Sequence, residues 1–202
     1  MPSGRKLGIV GLLLIGLASA VYVLFSAGVS PEDHAFDGYL SGEMADFRLT
    51  ESGSFRPKAT VLTAGGEETT VSDIAGDRVA LLNLWATWCA PCVVEMPALD
   101  ALQARFSADD FVVIPINMDR SALDGQAFYQ DNGLTNLDFL HDQVFAVIGE
   151  LRETGRAAGL PISVLYDARG REIGRLNKPA DWASEEAAAL IEAAISERRI
   201  AS

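Results

Sequence analysis

The feature that most restricts this chain is a strand that runs straight into a cysteine-bearing helix. Val79 to Leu84 is a short apolar run of the kind shown by a strand buried on both faces. Soon after it comes Cys89-Ala90-Pro91-Cys92. Beyond that, Val93, Met96, Leu99 and Leu102 recur at three-residue steps, the spacing of one helix face. Residues 89 and 92 therefore lie a turn apart on one side of the helix start. At about 1.5 Å of rise per residue their Cα atoms fall about 5 Å apart, within disulfide range. Such a pair can close and open without moving the backbone.

The helix start also supplies chemistry. Its unpaired N–H groups and partial positive charge favour a thiolate, and the thiolate is the nucleophile. Cys89 precedes the first full turn and is expected to be the more exposed, attacking thiol. Cys92, inside the helix, is expected to be shielded and to resolve the mixed disulfide that Cys89 forms. Pro91 suits the first turn, where a missing N–H costs nothing; Pro97, further in, is expected to kink the helix. A merely stabilising disulfide is the weaker reading, because so short a loop removes little unfolded-state entropy. A zinc site would need two more ligands, and the two histidines, His34 and His141, lack ligand spacing. Copper(I) would want a Met or His beside the pair, and none is there. No metal or other cofactor is expected.

The amino end carries Arg5 and Lys6, followed by 23 uncharged residues from Leu7 to Val29. About 20 apolar residues span a membrane, so 7–29 is expected to be a transmembrane signal anchor, with 1–6 a cytoplasmic tail. Ala18-Ser19-Ala20 resembles a cleavage site, but Val21-Tyr22-Val23-Leu24-Phe25 prolongs the apolar run past it. Either way the rest of the chain is exported. Residues 30–54, polar with Pro31, Gly38, Gly42 and Gly53, read as a stalk and domain entry; 55–202 read as the domain. The 202 residues, 49% hydrophobic and 22% charged, are enough for one folded core. A net charge of −12 excludes a nucleic-acid partner, since phosphate contacts need Lys and Arg.

Further elements are expected along the chain. A short strand and helical turn fall near Thr69–Ile74, a buried strand at Phe111–Ile116, and helices at Ser121–Asn132 and Val144–Arg152. Strands at Ile162–Tyr166 and Glu172–Leu176 flank the turn Asp167-Ala168-Arg169-Gly170, and a last helix runs from Trp182 to Arg199. That order predicts an α/β fold with a mixed sheet and helices on both faces.

The run Leu82-Asn83-Leu84-Trp85-Ala86-Thr87-Trp88-Cys89-Ala90-Pro91-Cys92-Val93-Val94-Glu95-Met96-Pro97 resembles the TlpA-like branch of thioredoxin-fold proteins. So does Gly159-Leu160-Pro161-Ile162-Ser163-Val164-Leu165, and, less specifically, Asn177 to Glu186. The resemblance covers most of the exported part, from about Pro57. It implies a thioredoxin-like three-layer fold behind the anchor and a cis Pro161 facing the cysteines. The backbone at Leu160-Pro161 would then pair with an extended substrate. Trp88, beside Cys89, is expected to line the substrate surface with Pro91, whereas Trp85 reads as core packing. Thioredoxin carries a buried Asp behind its cysteines; the matching residue here is Asn83, which cannot take a proton. Relatives carry a glutamate at the position of Glu95 that helps tune cysteine acidity. Glu95 therefore reads as the acid–base group, against the alternative of an exposed acid complementing the helix start.

Ala90-Pro91 contains no His to stabilise the thiolate, which points to a reductant. The resemblance implies a reductant of the bacterial inner membrane acting in the periplasm. Its substrates would be the cysteines of a copper chaperone or of the copper-binding subunit of cytochrome oxidase. Apocytochrome c is the alternative substrate, and a membrane protein of the DsbD or CcdA kind the electron donor. An oxidase or isomerase of protein folding, and a non-enzymatic copper carrier, are the rival classes.

Overall fold

The computed structural model describes residues 35–50, 54–153, 155, 157 and 159–201. The expected cytoplasmic tail, the anchor and the first stalk residues lie outside them. Among the described residues no helix is long and apolar enough to cross a membrane.

The described strands are β1 (Arg48–Leu49), β2 (Thr60–Thr63), β3 (Glu68–Thr70), β4 (Val79–Trp85), β5 (Phe111–Asn117), β6 (Leu140–His141), β7 (Ile162–Tyr166) and β8 (Glu172–Leu176). They form one sheet in the order β1-β8-β7-β4-β5-β6-β2-β3. β4 pairs in parallel with β5, and β5 with β6; β7 runs antiparallel to β4. Every residue of β4 and β5 is buried, as their apolar runs require. The helices are α1 (Val71–Ala75), α2 (Ala90–Arg105), α3 (Ala122–Asn132), α4 (Ala146–Glu153) and α5 (Glu185–Ala201). The sheet is mixed and flanked by helices in a thioredoxin-like α/β fold, as expected.

Local chemistry sets the boundaries. The Thr70 hydroxyl accepts from Asp73 N (3.1 Å) at the start of α1, and the Ser121 hydroxyl from Leu123 N (3.3 Å) at the start of α3. Gly133, left-handed at φ 63°, ends α3. The β7–β8 turn is closed by Asp167 Oδ1, which accepts from Arg169 N and Arg171 N. Pro97 lies inside α2.

Three elements depart from the sequence expectation. From Phe36 on, the segment read as stalk and domain entry belongs to the compact unit. Phe36, Met44 and Phe47 are buried, and β1 pairs with β8. These apolar residues are spaced too irregularly among glycines and acids to show a period. Phe47 packs so close over Gly174 that a side chain there would meet its ring and the Arg48 carbonyl. Secondly, α4 begins at Ala146 rather than Val144. The Asp142 carboxylate takes Val144 N (3.2 Å) and Val147 N (2.8 Å), and Phe145 is left-handed at φ 59°. Thirdly, Trp182 precedes α5 and is buried, tying the loop before that helix to the core.

Candidate active site

β4 ends at Trp85, and the chain then turns through Ala86-Thr87-Trp88 into α2, whose N-cap is Cys89. Cys89 N donates to Ala86 O (3.1 Å), closing that turn, and Val93 N donates to Cys89 O (3.1 Å), opening the helix. Ala90 and Pro91 form the first turn. Cys89 and Cys92 are joined in a disulfide with Cα atoms 5.2 Å apart, the separation expected from the helical spacing. Cys89 is 7% exposed and Cys92 wholly buried, so Cys89 is the sulfur that a partner can reach. Trp88, 67% exposed, stands beside it; Pro91 is exposed, and Trp85 is core, packed against Phe128 and Tyr129.

The Leu160–Pro161 peptide is cis. The antiparallel register pairs Leu84 with Ile162, so Leu160 and Pro161 sit at the end of the sheet from which the Cys89 loop leaves. Leu160 is half-buried and Pro161 buried.

Glu95 is only 2% exposed, which removes the reading of an exposed acid at the helix start. Its Oε1 accepts from Asn83 Nδ2 (2.8 Å) and its Oε2 from Ala180 N (3.2 Å). Burial raises its pKa from 4.5 to about 7, against the smaller lowering effects of Asn83, the Ala180 N–H and Trp182. The Trp182 indole N–H acts without a well-aligned hydrogen bond, and Nε1 has no partner among the described residues. A carboxyl group poised near neutral pH can both take and give a proton. Asn83 Nδ2 also donates to Ser163 Oγ (2.9 Å), while Asn83 Oδ1, buried, has no partner among the described residues.

A buried disulfide at a helix N-terminus, one end open to solvent beside a tryptophan, with a carboxyl of near-neutral pKa on the same helix, is built for thiol–disulfide exchange. The AhpC/TSA family model matches residues 44–175, more than half of the chain. The chain belongs to the AhpC/TSA family. Within the thioredoxin-like proteins it is a thiol:disulfide oxidoreductase of the TlpA-like kind. It is 29% identical to the thiol-disulfide oxidoreductase ResA of Bacillus cereus over 142 residues, 68% of this chain and 74% of that protein. It is 42% identical to the thioredoxin-like protein YneN of Bacillus subtilis over 67 residues, 33% of this chain and 38% of that protein. A Chlorobium tepidum structure described as a thiol:disulfide interchange protein DsbE superposes with a TM-score of 0.61 at 26% identity. That match covers 73% of this chain and 99% of the other.

Several residues of the site were not singled out from the sequence. Ser163 is a lone hydroxyl in an apolar strand, and its partner Asn83 is twice removed from the cysteines. Ala180 contributes only its backbone, for which no side-chain signal exists. Trp182 read as the start of a helix. Asn117 and Asp119, which close the carboxyl end of β5, hold the Cys89 loop from behind; polar residues at that end of a strand were the available signal.

Proposed function

We propose that this protein is a membrane-anchored reductant working outside the cytoplasm, which delivers electrons to oxidised cysteine pairs during metalloprotein assembly. The observation that carries this is the Cys89–Cys92 pair at a helix N-terminus, backed by Glu95, with Ala90-Pro91 and no histidine between the sulfurs. In the dithiol state the Cys89 thiolate attacks a substrate disulfide and expels one substrate thiolate, forming a mixed disulfide. Glu95, as carboxylate, takes the proton from Cys92. The Cys92 thiolate then attacks Cys89 Sγ, releasing the second substrate thiolate. The substrate has gained two electrons and the chain holds the Cys89–Cys92 disulfide. Re-reduction needs two electrons from the cytoplasmic side, through a membrane dithiol donor of the DsbD or CcdA kind. The uncharged run 7–29 would keep the domain beside it.

Trp88 and Pro91 would form the apolar surface on which the substrate rests, and the backbone at Leu160-Pro161 would pair with its extended segment. The resemblance to the TlpA-like branch, including Asn177 to Glu186, favours copper-site cysteines as substrate, on the copper-binding subunit of cytochrome oxidase or its chaperone. Reduction of apocytochrome c keeps the same chemistry and changes only the partner.

A Cys92→Ser variant cannot resolve the mixed disulfide, so the substrate stays attached to Cys89. Expressed in its own membrane and purified under acid quench, it is expected to carry a copper chaperone or the oxidase subunit. Capture of mainly apocytochrome c would replace the copper reading with the second one. Undiminished turnover by Cys89→Ser would end both.

A further inference from the structure

Trp85 of β4, Asn117 of β5 and His141 of β6 stand in one row across the sheet, at the carboxyl ends of three parallel strands. Met118 N donates to Trp85 O (2.8 Å) and Asp142 N to Asn117 O (3.0 Å), which holds the three ends level. Just beyond this row the Asp119 side chain turns back toward β4. Thr87 N lies 3.2 Å from both of its carboxylate oxygens, and the Thr87 hydroxyl donates to Oδ1 at 3.0 Å. Asn117 Nδ2 donates to Oδ2 at 2.8 Å, and Asn117 Oδ1 accepts from Asp119 N at 3.2 Å. From the other side, His141 Nε2 is 2.8 Å from the Asp119 backbone carbonyl. Asp119 is 2% exposed.

Two features of this arrangement go beyond bracing a turn. First, the donors to the carboxylate, Thr87 and Asn117, are neutral. They satisfy both of its oxygens without cancelling its charge. Second, Thr87 is two residues before Cys89, inside the turn closed by Cys89 N and Ala86 O. Chain geometry then places the carboxylate on the order of 10 Å from the Cys89 sulfur. The start of α2 draws a thiolate; Asp119 opposes it.

We propose that Asp119 is a positioning residue for disulfide exchange: its carboxylate fixes the loop carrying Trp88 and Cys89 and, as a buried negative charge, holds back the thiolate at Cys89. This rests on the reductant reading above and supplies its physical cause. Over-stabilising the thiolate stabilises the dithiol and makes the pair a weaker reductant. Asp119 keeps that from happening. The other charged or titratable groups around the junction are Glu95 from α2, His141 from β6, Asp142 after β6 and the exposed Arg120. The Asp142 carboxylate is occupied by the N–H groups of Val144 and Val147, and His141 addresses a carbonyl rather than the carboxylate.

The test uses the full chain with Asp119→Asn and, separately, Thr87→Val. Titration of Cys89 by the pH dependence of its alkylation gives the thiolate-to-thiol ratio. Equilibration with a thiol buffer at a pH above that titration gives the reduction potential. A unit charge at about 10 Å, with an effective dielectric between about 20 and about 40, changes the ratio between about 4-fold and about 16-fold. Asp119→Asn is therefore expected to lower the Cys89 pKa by about one unit and to raise the potential by about 30 mV, the equivalent of tenfold in a two-electron couple. Thr87→Val, which leaves the carboxylate in place, is expected to slow exchange without that drop. Folded Asp119→Asn with an unmoved or raised Cys89 pKa overturns the proposal, as does Thr87→Val reproducing the full drop. Asp119→Ser keeps an acceptor and removes the charge, and decides the matter should the Asn variant not fold. An oxidising wild-type potential would instead sink the reductant reading, and an unmoved potential in the variant only the role of Asp119.

Discussion

Glu95→Gln removes the one buried carboxyl group of the site with a near-neutral pKa, and its cost can be worked from the structure. In the unfolded chain Glu95 ionises near 4.5; in the folded protein burial raises that to about 7. Between those values the native state holds a proton that the unfolded chain has released, so stability falls as pH rises. The favourable side of this linkage is complete below about pH 4.5 and is lost by about pH 7, above which the contribution is flat. Integrating from pH 5 to pH 8 gives a loss of about 2.5 kcal/mol from this group alone. Glutamine has the same shape and cannot ionise. It keeps one acceptor for Asn83 Nδ2 and places an amide NH2 against Ala180 N, a mismatch costing about 1 kcal/mol at every pH. Urea denaturation of the oxidised fragment beginning at Phe36 measures this directly. The stability of Glu95→Gln minus that of wild type should grow by about 2.5 kcal/mol from pH 5 to pH 8. Curves that stay parallel over that range would show that Glu95 titrates normally, and with it the proposed proton transfer to and from Cys92 would lose its basis.

Two further substitutions test the fold around the site. Phe47→Ala empties a buried position over Gly174 and should cost about 3–5 kcal/mol in the same denaturation experiment; a loss under about 1 kcal/mol would return this segment to a stalk. A Cβ at Gly125 would lie 2.7 Å from Asn117 Cγ and Nδ2 and 2.7 Å from the Phe139 ring. Gly125→Ala should therefore lower stability by up to about 2 kcal/mol net, the overpacking exceeding a helix-propensity gain of about 1 kcal/mol, and an unchanged or higher Tm would refute that close approach.

The elements that carry the chemistry were legible along the chain because their signals are local. An apolar run names β4, three-residue spacing names α2, Ser121 and Gly133 bracket α3, and Asp167 to Gly170 names a turn. The cysteine spacing alone dictates a pair that can close, since helix geometry decides the distance. The burial of Phe36, Met44 and Phe47 was not legible, because residues without a period reveal their burial only when distant elements, β8 for Phe47 and α5 for the turns around Phe36 and Met44, are there to receive them. The two-residue strands β1 and β6 are too short to show any alternation and exist only through their partners. Glu95 is the sharpest case. Its place three residues after Cys92 allowed either an exposed acid or a buried one. The packing of Asn83, Ala180 and Trp182 around it, from segments as distant as residue 182, decides for the buried one and lifts its pKa. Asp119 and Thr87, 32 positions apart, meet for the same reason. Periodicity and spacing act over one turn or one strand, whereas the protonation of a carboxyl group depends on which solvent and which donors the rest of the fold removes or supplies.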